Sequence, residues 1–100
     1  MTAPYLDITC TWDPVKAQSN IAQHGVSFVQ AASVLLDPLA LTVFDAAHSQ
    51  AEERWFSLGM SSDGKLLAVA HTYHSAGPSS ASARIISARA ASNMKTSLDR

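Results

Sequence analysis

The first element that the sequence predicts is a β-strand, because apolar and polar residues alternate from residue 7 onward. Ile8, Cys10 and Trp12 occupy every second position, and polar residues lie between them. A period of two is typical of a strand with one buried face. The pattern places the Cys10 thiol on the apolar side, where a free cysteine behaves as a small hydrophobic residue.

A helix over residues 14–24 is predicted from the residues at its two ends. Asp13 can accept hydrogen bonds from the first-turn amides, and Pro14 suits the first helical position because its missing N–H would be unpaired there anyway. Gly25 follows the segment, and a glycine just beyond a helix is the usual left-handed stop.

A second helix is predicted to begin at Ser27, because Gln30 lies three residues later and completes a capping box. Its apolar stripe recurs at three- and four-residue spacing, at Ala31, Val34 and Leu35. Pro38 closes the segment, since the residue before a proline is disfavoured in a helix.

The rest of the chain predicts strands. They cover residues 39–44, 54–60, 65–73 and 83–88, with a turn at 61–64 and loops at 45–53 and 74–82. The tail from residue 90 is weakly helical. Helices and strands therefore segregate, which predicts an α+β fold with two N-terminal helices packed on a mostly antiparallel sheet of about four or five strands.

Composition favours one domain over residues 1–100, because the chain is 47% apolar and 15% charged. The net charge of −1 excludes a basic coat over the whole chain, and the lone Cys10 excludes an internal disulfide. No apolar run approaches the roughly 18–20 residues that span a bilayer. The first five residues lack a signal-peptide pattern, so we expect a cytoplasmic protein without membrane contact.

Charge is unevenly distributed between the two halves of the chain. Residues 1–50 hold one basic and four acidic residues, whereas residues 51–100 hold six basic and four acidic ones. The second half can therefore present a cationic face to an anionic partner, and the alternative is an ordinary solvated surface.

A metal site is not expected. His71 and His74 are three residues apart, which on a strand places their side chains on opposite faces. The lone cysteine is not at a spacing from these histidines that is typical of a zinc site. We therefore interpret His71 as a hydrogen-bonded histidine of the sheet and His74 as a loop residue.

Metal-free acid–base chemistry on an RNA phosphodiester needs a base, an acid and cations that hold the phosphate. Residues of these types are His24, Glu52, Glu53, Arg54, Arg84 and Arg89. Strand alternation predicts Ser87 and Arg89 on one face of the last strand and Arg84 on the other. The alternatives are a helix-capping role for His24 and an exposed cross-strand pair for Glu53 and Arg54.

Several motifs together resemble one known family. They are Trp12-Asp13-Pro14-x-Lys16-x-x-x-Asn20-x-x-x-His24-Gly25-Val26-x-Phe28, then Asp37-Pro38-Leu39-Ala40, His48-Ser49 with Glu52-Glu53-Arg54, Gly59, and Arg84-Ile85-Ile86-Ser87-Ala88-Arg89. In this order and spacing the chain resembles the BrnT toxins, over most of its length. The resemblance implies a RelE-like fold and a ribonuclease toxin of a type II toxin–antitoxin system that cleaves mRNA without a metal and stops translation.

The resemblance also implies partners and residue roles. The expected partners are RNA and a BrnA-like ribbon-helix-helix antitoxin, with operator DNA bound only through the antitoxin and a toxin dimer within the complex. No cofactor is expected. The implied catalytic residues are His24, Glu53, Arg54 and Arg89, and the implied RNA-binding residues are Lys16, Glu52, Arg84 and Ser87. Which of them is the acid and which the base stays open.

The chain departs from the family pattern at three positions. Gln23 stands where the family usually has a lysine, and Lys95 and Asp99 replace a glutamate and a tyrosine. The alternative function is therefore a catalytically weakened subunit that binds the antitoxin in an operon-repressing complex. An unrelated structural domain is the third hypothesis. The ribonuclease hypothesis predicts that His24, Arg54 and Arg89 converge on one cleft with positive potential, and it fails if Arg54 and Arg89 lie on opposite faces of the sheet.

Overall fold

Two helices and six strands make up residues 7–91, the part of the chain that the computed structural model describes. The helices are α1 (Pro14–His24) and α2 (Phe28–Leu35). The strands are β1 (Asp7–Thr11), β2 (Leu41–Phe44), β3 (Trp55–Met60), β4 (Leu66–His71), β5 (His74–Gly77) and β6 (Ser80–Ala90). A short 3-10 helix, Ala46–His48, lies between β2 and β3. The predicted C-terminal helix and the segment examined for a signal peptide lie outside the described residues.

Both helices begin where their capping residues predict. The Asp13 carboxylate accepts a hydrogen bond from the Val15 N–H at 2.9 Å, and Gly25 ends α1 with a φ of 67°. Ser27 and Gln30 form the predicted capping box, since each side chain accepts a hydrogen bond from the backbone N–H of the other. These local signals fix the position of α1, and with it the position of its last residue.

The strands form one sheet in the order β1-β6-β4-β3-β2, and β5 also pairs with β6. The β1–β6 pair is parallel and the other pairs are antiparallel. The predicted α+β class with a mostly antiparallel sheet is confirmed. The sheet has six strands, however, which is more than the sequence predicted.

The additional strand is β5, and the prediction of a loop over residues 74–82 was wrong. This segment forms a hairpin in which His74 pairs with Ser82 and Ser75 pairs with Ala81. Burial alternates only at the start of β6, where Ala81 and Ala83 are buried and Ser80 and Ser82 are half-buried, whereas no residue of β5 is buried. Alanine and serine differ little in hydropathy, so the period of two was too faint to recognise.

The hydrophobic core lies on one face of the sheet, where both helices pack. Its largest members are Phe28 and Val34 of α2 together with Leu67, Val69 and Ile85 of the sheet. The opposite face, called the outer face below, carries Phe56, Ser87 and Arg89. Within residues 7–91, neither α1 nor α2 packs over the outer face, which leaves a surface that a ligand can reach.

The prediction that Arg84 faces away from Ser87 and Arg89 was wrong, because β6 contains a β-bulge. Ser87 pairs with Ala70 and Ile85 pairs with His71, so Ile86 between them has no partner on β4. One extra residue reverses the alternation beyond it. Arg84 therefore lies on the outer face together with Ser87 and Arg89, and not on the opposite face as predicted.

Asn20 joins α1 to the edge of β6. The β1–β6 ladder ends at Arg84, and beyond it the Asn20 side chain takes the place of a neighbouring strand. Its amide donates to the Ala88 carbonyl at 2.8 Å and its carbonyl accepts from the Ala88 N–H at 3.1 Å. The same amide donates to the Val26 carbonyl at 2.9 Å. These bonds hold the C-terminal end of α1 beside the outer face.

Candidate active site

A cleft of about 300 Å³ lies where the end of α1 meets the outer face. Its lining residues are His24, His48, Phe56, Ala68, Ser87, Ala88 and Arg89. They come from α1, the 3-10 helix, β3, β4 and β6. Residues far apart in the chain are therefore gathered at one surface depression.

Ala68 of β4 lines the cleft, and Ala70 lies beside it on the same face of the strand. Ala70 pairs with Phe56 on one side and Ser87 on the other, and Ala68 pairs with Arg89. The small side chains of β4 leave a trough between the larger side chains of β3 and β6. Such a trough can accept a nucleotide-sized group beside a cation and a hydroxyl.

His24 lies at one side of the cleft, as the last residue of α1. The residue is exposed, and its backbone is held by the helix and by the bonds of Asn20 to the strand edge. Its imidazole is therefore accessible to a ligand that enters the cleft.

His48 also lines the cleft, and it is hydrogen-bonded to Asp45. Its Nδ1 lies 2.9 Å from the Asp45 carboxylate, and the two side chains are 66% and 13% exposed, respectively. A carboxylate accepts hydrogen bonds, so Nδ1 carries a proton and Nε2 is the nitrogen left to exchange one with a substrate. The structure thus places a second histidine with an orienting carboxylate at the cleft.

The sequence interpretation noted His48 in a family motif but gave it no role. The signal that was available is the Asp45-x-x-His48 spacing. In a single helical turn this spacing brings the first and fourth side chains to one side. Recognising it required knowing that this loop contains such a turn, which no strong local pattern indicates.

Arg84 and Glu52 bind each other beside the cleft. The guanidinium donates two hydrogen bonds to the carboxylate, one to each oxygen. Arg84 holds the pKa of the Glu52 carboxyl below its usual range, and Arg54 adds a smaller effect of the same sign. The Arg84 charge is therefore balanced by a partner within this structure.

Arg54 lies on the outer face, as the ribonuclease hypothesis requires. The Asp45 N–H donates to the Arg54 carbonyl at 2.8 Å, which continues the β2–β3 ladder by one residue. Alternation then puts Arg54 on the same face as Phe56 and Arg89. Arg54 lies outside the cleft lining, however.

The remaining predicted site residues lie further away. Glu53 is exposed and does not line the cleft. Lys16 lies in the first turn of α1, about 12 Å along the helix axis from His24 at the usual rise per residue. The structure therefore gathers His24, Ser87 and Arg89 in the cleft, whereas Lys16, Glu52, Glu53, Arg54 and Arg84 lie outside its lining.

Other reactive side chains in the described range are occupied elsewhere. Burial raises the pKa of the half-buried Cys10 thiol, which disfavours the nucleophilic thiolate. His71 is fully buried and hydrogen-bonded to Ser57 at 2.7 Å, as the interpretation of a partnered sheet histidine expected. His74 begins β5 and is exposed. Within residues 7–91, no three His, Cys, Asp or Glu side chains are grouped as metal ligands.

The structure contains no candidate membrane span among the helices of residues 7–91. Both helices are short, with eleven residues in α1 and eight in α2.

Comparisons with known proteins agree with the fold and the motifs. A family model described as "Ribonuclease toxin, BrnT, of type II toxin-antitoxin system" matches residues 12–94. The crystal structure of the ribonuclease toxin BrnT from Brucella abortus is similar with a TM-score of 0.52 and 26% sequence identity, over 84% of this chain and 95% of that one. The search of curated proteins found no match. The chain belongs to the BrnT family, the ribonuclease toxins of type II toxin–antitoxin systems.

Proposed function

We propose that this chain is a metal-independent endoribonuclease that cleaves mRNA and thereby inhibits translation. The observation that carries the proposal is the cleft in which two histidines, His24 and His48, flank Ser87 and Arg89. Acid–base cleavage of RNA requires two groups that transfer protons and a cation between them, and the cleft offers these three functions together.

His48 is the general base in this mechanism. Its Nε2 removes the proton from the ribose 2′-OH, and the 2′-oxygen then attacks the neighbouring phosphorus. Asp45 accepts the Nδ1–H bond throughout and stabilises the imidazolium that forms. The family resemblance left the identity of the base open, and Glu53, the carboxylate that it implied as catalytic, lies outside the cleft.

His24 is the general acid. It protonates the 5′-oxygen as the bond between that oxygen and phosphorus breaks, which leaves a 2′,3′-cyclic phosphate and a 5′-hydroxyl end. Arg89 neutralises the charge that develops on the phosphoryl oxygens, and the Ser87 hydroxyl donates a hydrogen bond to one of them. Arg54 and Lys16 lie where they can contact phosphates further along the RNA.

The proposed partner is a BrnA-type ribbon-helix-helix antitoxin that neutralises the ribonuclease in the cytoplasm. A type II system pairs a toxin with a protein antitoxin, and the family match covers most of the chain. In this proposal two toxin chains assemble with the antitoxin, and operator DNA is bound only through the antitoxin.

A second candidate function is that of a weakened toxin which only binds its antitoxin. The observation that favours it is the electrically neutral Gln23 next to His24 at the exposed end of α1. A charge-assisted phosphate contact is stronger than a neutral one, so a glutamine here binds phosphate less tightly than a lysine does.

Growth after tightly controlled expression separates the two functions. We expect arrest by the parent chain, and growth with His24→Ala or His48→Ala at equal soluble protein. His74→Ala is the matched control, because this exposed histidine lies outside the cleft and its loss should leave arrest intact. Equal growth with the parent and both cleft variants would instead favour the weakened subunit.

A further inference from the structure

The segment that carries His48 is the loop of residues 45–53, called the His48 loop below. Its base is closed by Ser49, whose hydroxyl donates to the Asp45 carbonyl at 2.6 Å and accepts the Arg54 N–H at 2.9 Å. Both of these partners flank the β2–β3 connection. The base therefore fixes the loop only relative to β2 and β3.

The residues proposed to hold the phosphate belong to a different strand. Ser87 and Arg89 lie on β6, and β4 separates β6 from β3. Neighbouring strands are about 4.8 Å apart, so the gap between β3 and β6 is roughly 10 Å. His48 must be held across this gap to share a cleft with Arg89.

The Glu52–Arg84 pair spans the gap between β3 and β6. Among the described residues, it is the side-chain hydrogen bond or ion pair that joins the His48 loop to β6. A carboxylate that accepts two bonds from one guanidinium fixes distance and orientation together. The loop is thereby tied to β3 through the Ser49–Arg54 bond and to β6 through Glu52.

The β-bulge makes this tie possible. Because Ile86 has no partner on β4, Arg84 shares the outer face with Ser87 and Arg89. One strand therefore carries both the anchor of the His48 loop and the residues proposed to hold the phosphate. A regular β6 would turn Arg84 toward the helices.

We propose that Glu52 and Arg84 are positioning residues, which hold His48 at its working distance from Ser87 and Arg89. The proposal rests on the proposed function of the cleft. The family resemblance implied that both residues contact RNA. In this proposal they act instead through His48. The pair is partly exposed, with side chains 31% and 43% accessible, so it adds little to global stability. Its effect is on geometry, to which proton transfer is sensitive.

Charge reversal tests the pair. Glu52→Arg and Arg84→Glu should each lower kcat for RNA cleavage by about 10- to 100-fold with little change in KM. The double variant, with both residues exchanged, should recover most of the lost kcat. Glu52→Gln is the milder variant that retains the size of the side chain. Gln50→Ala is the control, because this exposed side chain lies in the same loop and outside the cleft.

A direct phosphate contact by Arg84 would give a different pattern. Glu52→Gln would then free the guanidinium and lower KM, and the exchanged pair would stay inactive because the cation would have moved to position 52. Either result would overturn the positioning role.

The imidazole NMR signals provide a readout that needs no activity. The His48 signals should shift in each single reversal and return in the exchanged pair, while the His24 signals stay in place. Unmoved His48 signals in the single variants would overturn this inference and leave the ribonuclease proposal standing. If the parent chain itself did not cleave RNA, the ribonuclease proposal would be contradicted. The NMR signals would still report whether Glu52 and Arg84 position His48.

Discussion

His71 on the helix-covered face and His48 above the outer face each have a hydrogen-bonded Nδ1, and they differ in what surrounds Nε2. The Nδ1–H of His71 donates to the Thr72 carbonyl at 3.0 Å, so its Nε2 accepts the Ser57 hydroxyl proton. Ser57 in turn accepts from the Thr42 hydroxyl at 2.8 Å. This chain of donors is complete and buried, so it leaves no nitrogen for a ligand.

The histidine above the outer face has the same bond on one side and solvent on the other. Asp45 takes the Nδ1–H of His48, and the ring is 66% exposed at the edge of a cleft that also holds an arginine. Access, and not residue type, therefore separates a structural histidine from a candidate catalytic one. Substitutions at each histidine can break or sharpen this comparison.

The largest expected effect is on catalysis, through His48→Ala. Removal of a general base should lower the rate of RNA cleavage by about 10²- to 10⁴-fold. The melting temperature should change little, because the side chain is exposed. Single-turnover cleavage and thermal unfolding of the same preparation measure both quantities. A variant that cleaves at the parent rate would rule out His48 as the base.

His71→Ala should have the reverse effect, on stability. Loss of a fully buried ring leaves a cavity and removes the acceptor of the Ser57 hydroxyl proton, which together should cost about 2–4 kcal/mol of the free energy of unfolding. Urea unfolding gives this value. The rate of cleavage per folded molecule should stay at the parent level, and a loss of rate as large as that of His48→Ala would contradict the division between the two faces.

Asp45→Asn should have a smaller effect on the same cleft. The amide oxygen can still accept the Nδ1–H bond, but the negative charge that stabilises the imidazolium is lost. We expect about a tenfold drop in kcat with KM almost unchanged. The comparison of kcat and KM for this variant and the parent checks this, and an unchanged kcat would show that the carboxylate does not assist His48.

The pH dependence of stability should show the smallest effect. Burial lowers the pKa of His71 from its usual 6.5, because the folded interior disfavours the charged ring. Below about pH 6.5 the unfolded chain binds a proton that the folded chain refuses, so stability should fall by up to about 1.4 kcal/mol per pH unit until the lowered pKa is reached.

Urea unfolding between pH 7.5 and pH 5 measures this slope, in a range that lies above the titration of ordinary carboxylates. His71→Gln is the matched variant, and its slope should be smaller by about one proton. An equal slope in both proteins would mean that another group titrates in this range.

Local signals made the helices predictable from the sequence. Asp13, Gly25 and the box of Ser27 with Gln30 act within one turn, so both ends of α1 and the start of α2 lie where the sequence indicated. Helix α2 ends at Leu35, before the predicted stop at Asp37-Pro38. Strand β5 was missed because its four residues are exposed or half-buried without alternation, and the serine–alanine alternation that begins β6 carries little contrast in hydropathy. The facing of Arg84 was missed because the bulge depends on how β6 pairs with β4, which is a long-range property.

The candidate site also contains residues that local patterns indicated and residues whose place depends on long-range contacts. His24, Ser87 and Arg89 were predicted as site residues, and the structure gathers them in one cleft. The place of His48 depends on a loop that is tied to a distant strand, so the sequence alone could not assign it. The partner of Arg84 was likewise hidden, because Glu52 is 32 residues away along the chain.

The most direct test of the central claim is the cleavage of RNA by the purified parent chain in the presence of a metal chelator, with analysis of the product ends. We expect cleavage to persist and to leave 2′,3′-cyclic phosphate and 5′-hydroxyl ends, and we expect His24→Ala and His48→Ala to abolish it. Cleavage that requires a divalent metal, or that leaves 5′-phosphate ends, would contradict a mechanism in which the two histidines transfer the protons. Intact RNA under all conditions would favour a chain whose remaining role is to bind its antitoxin.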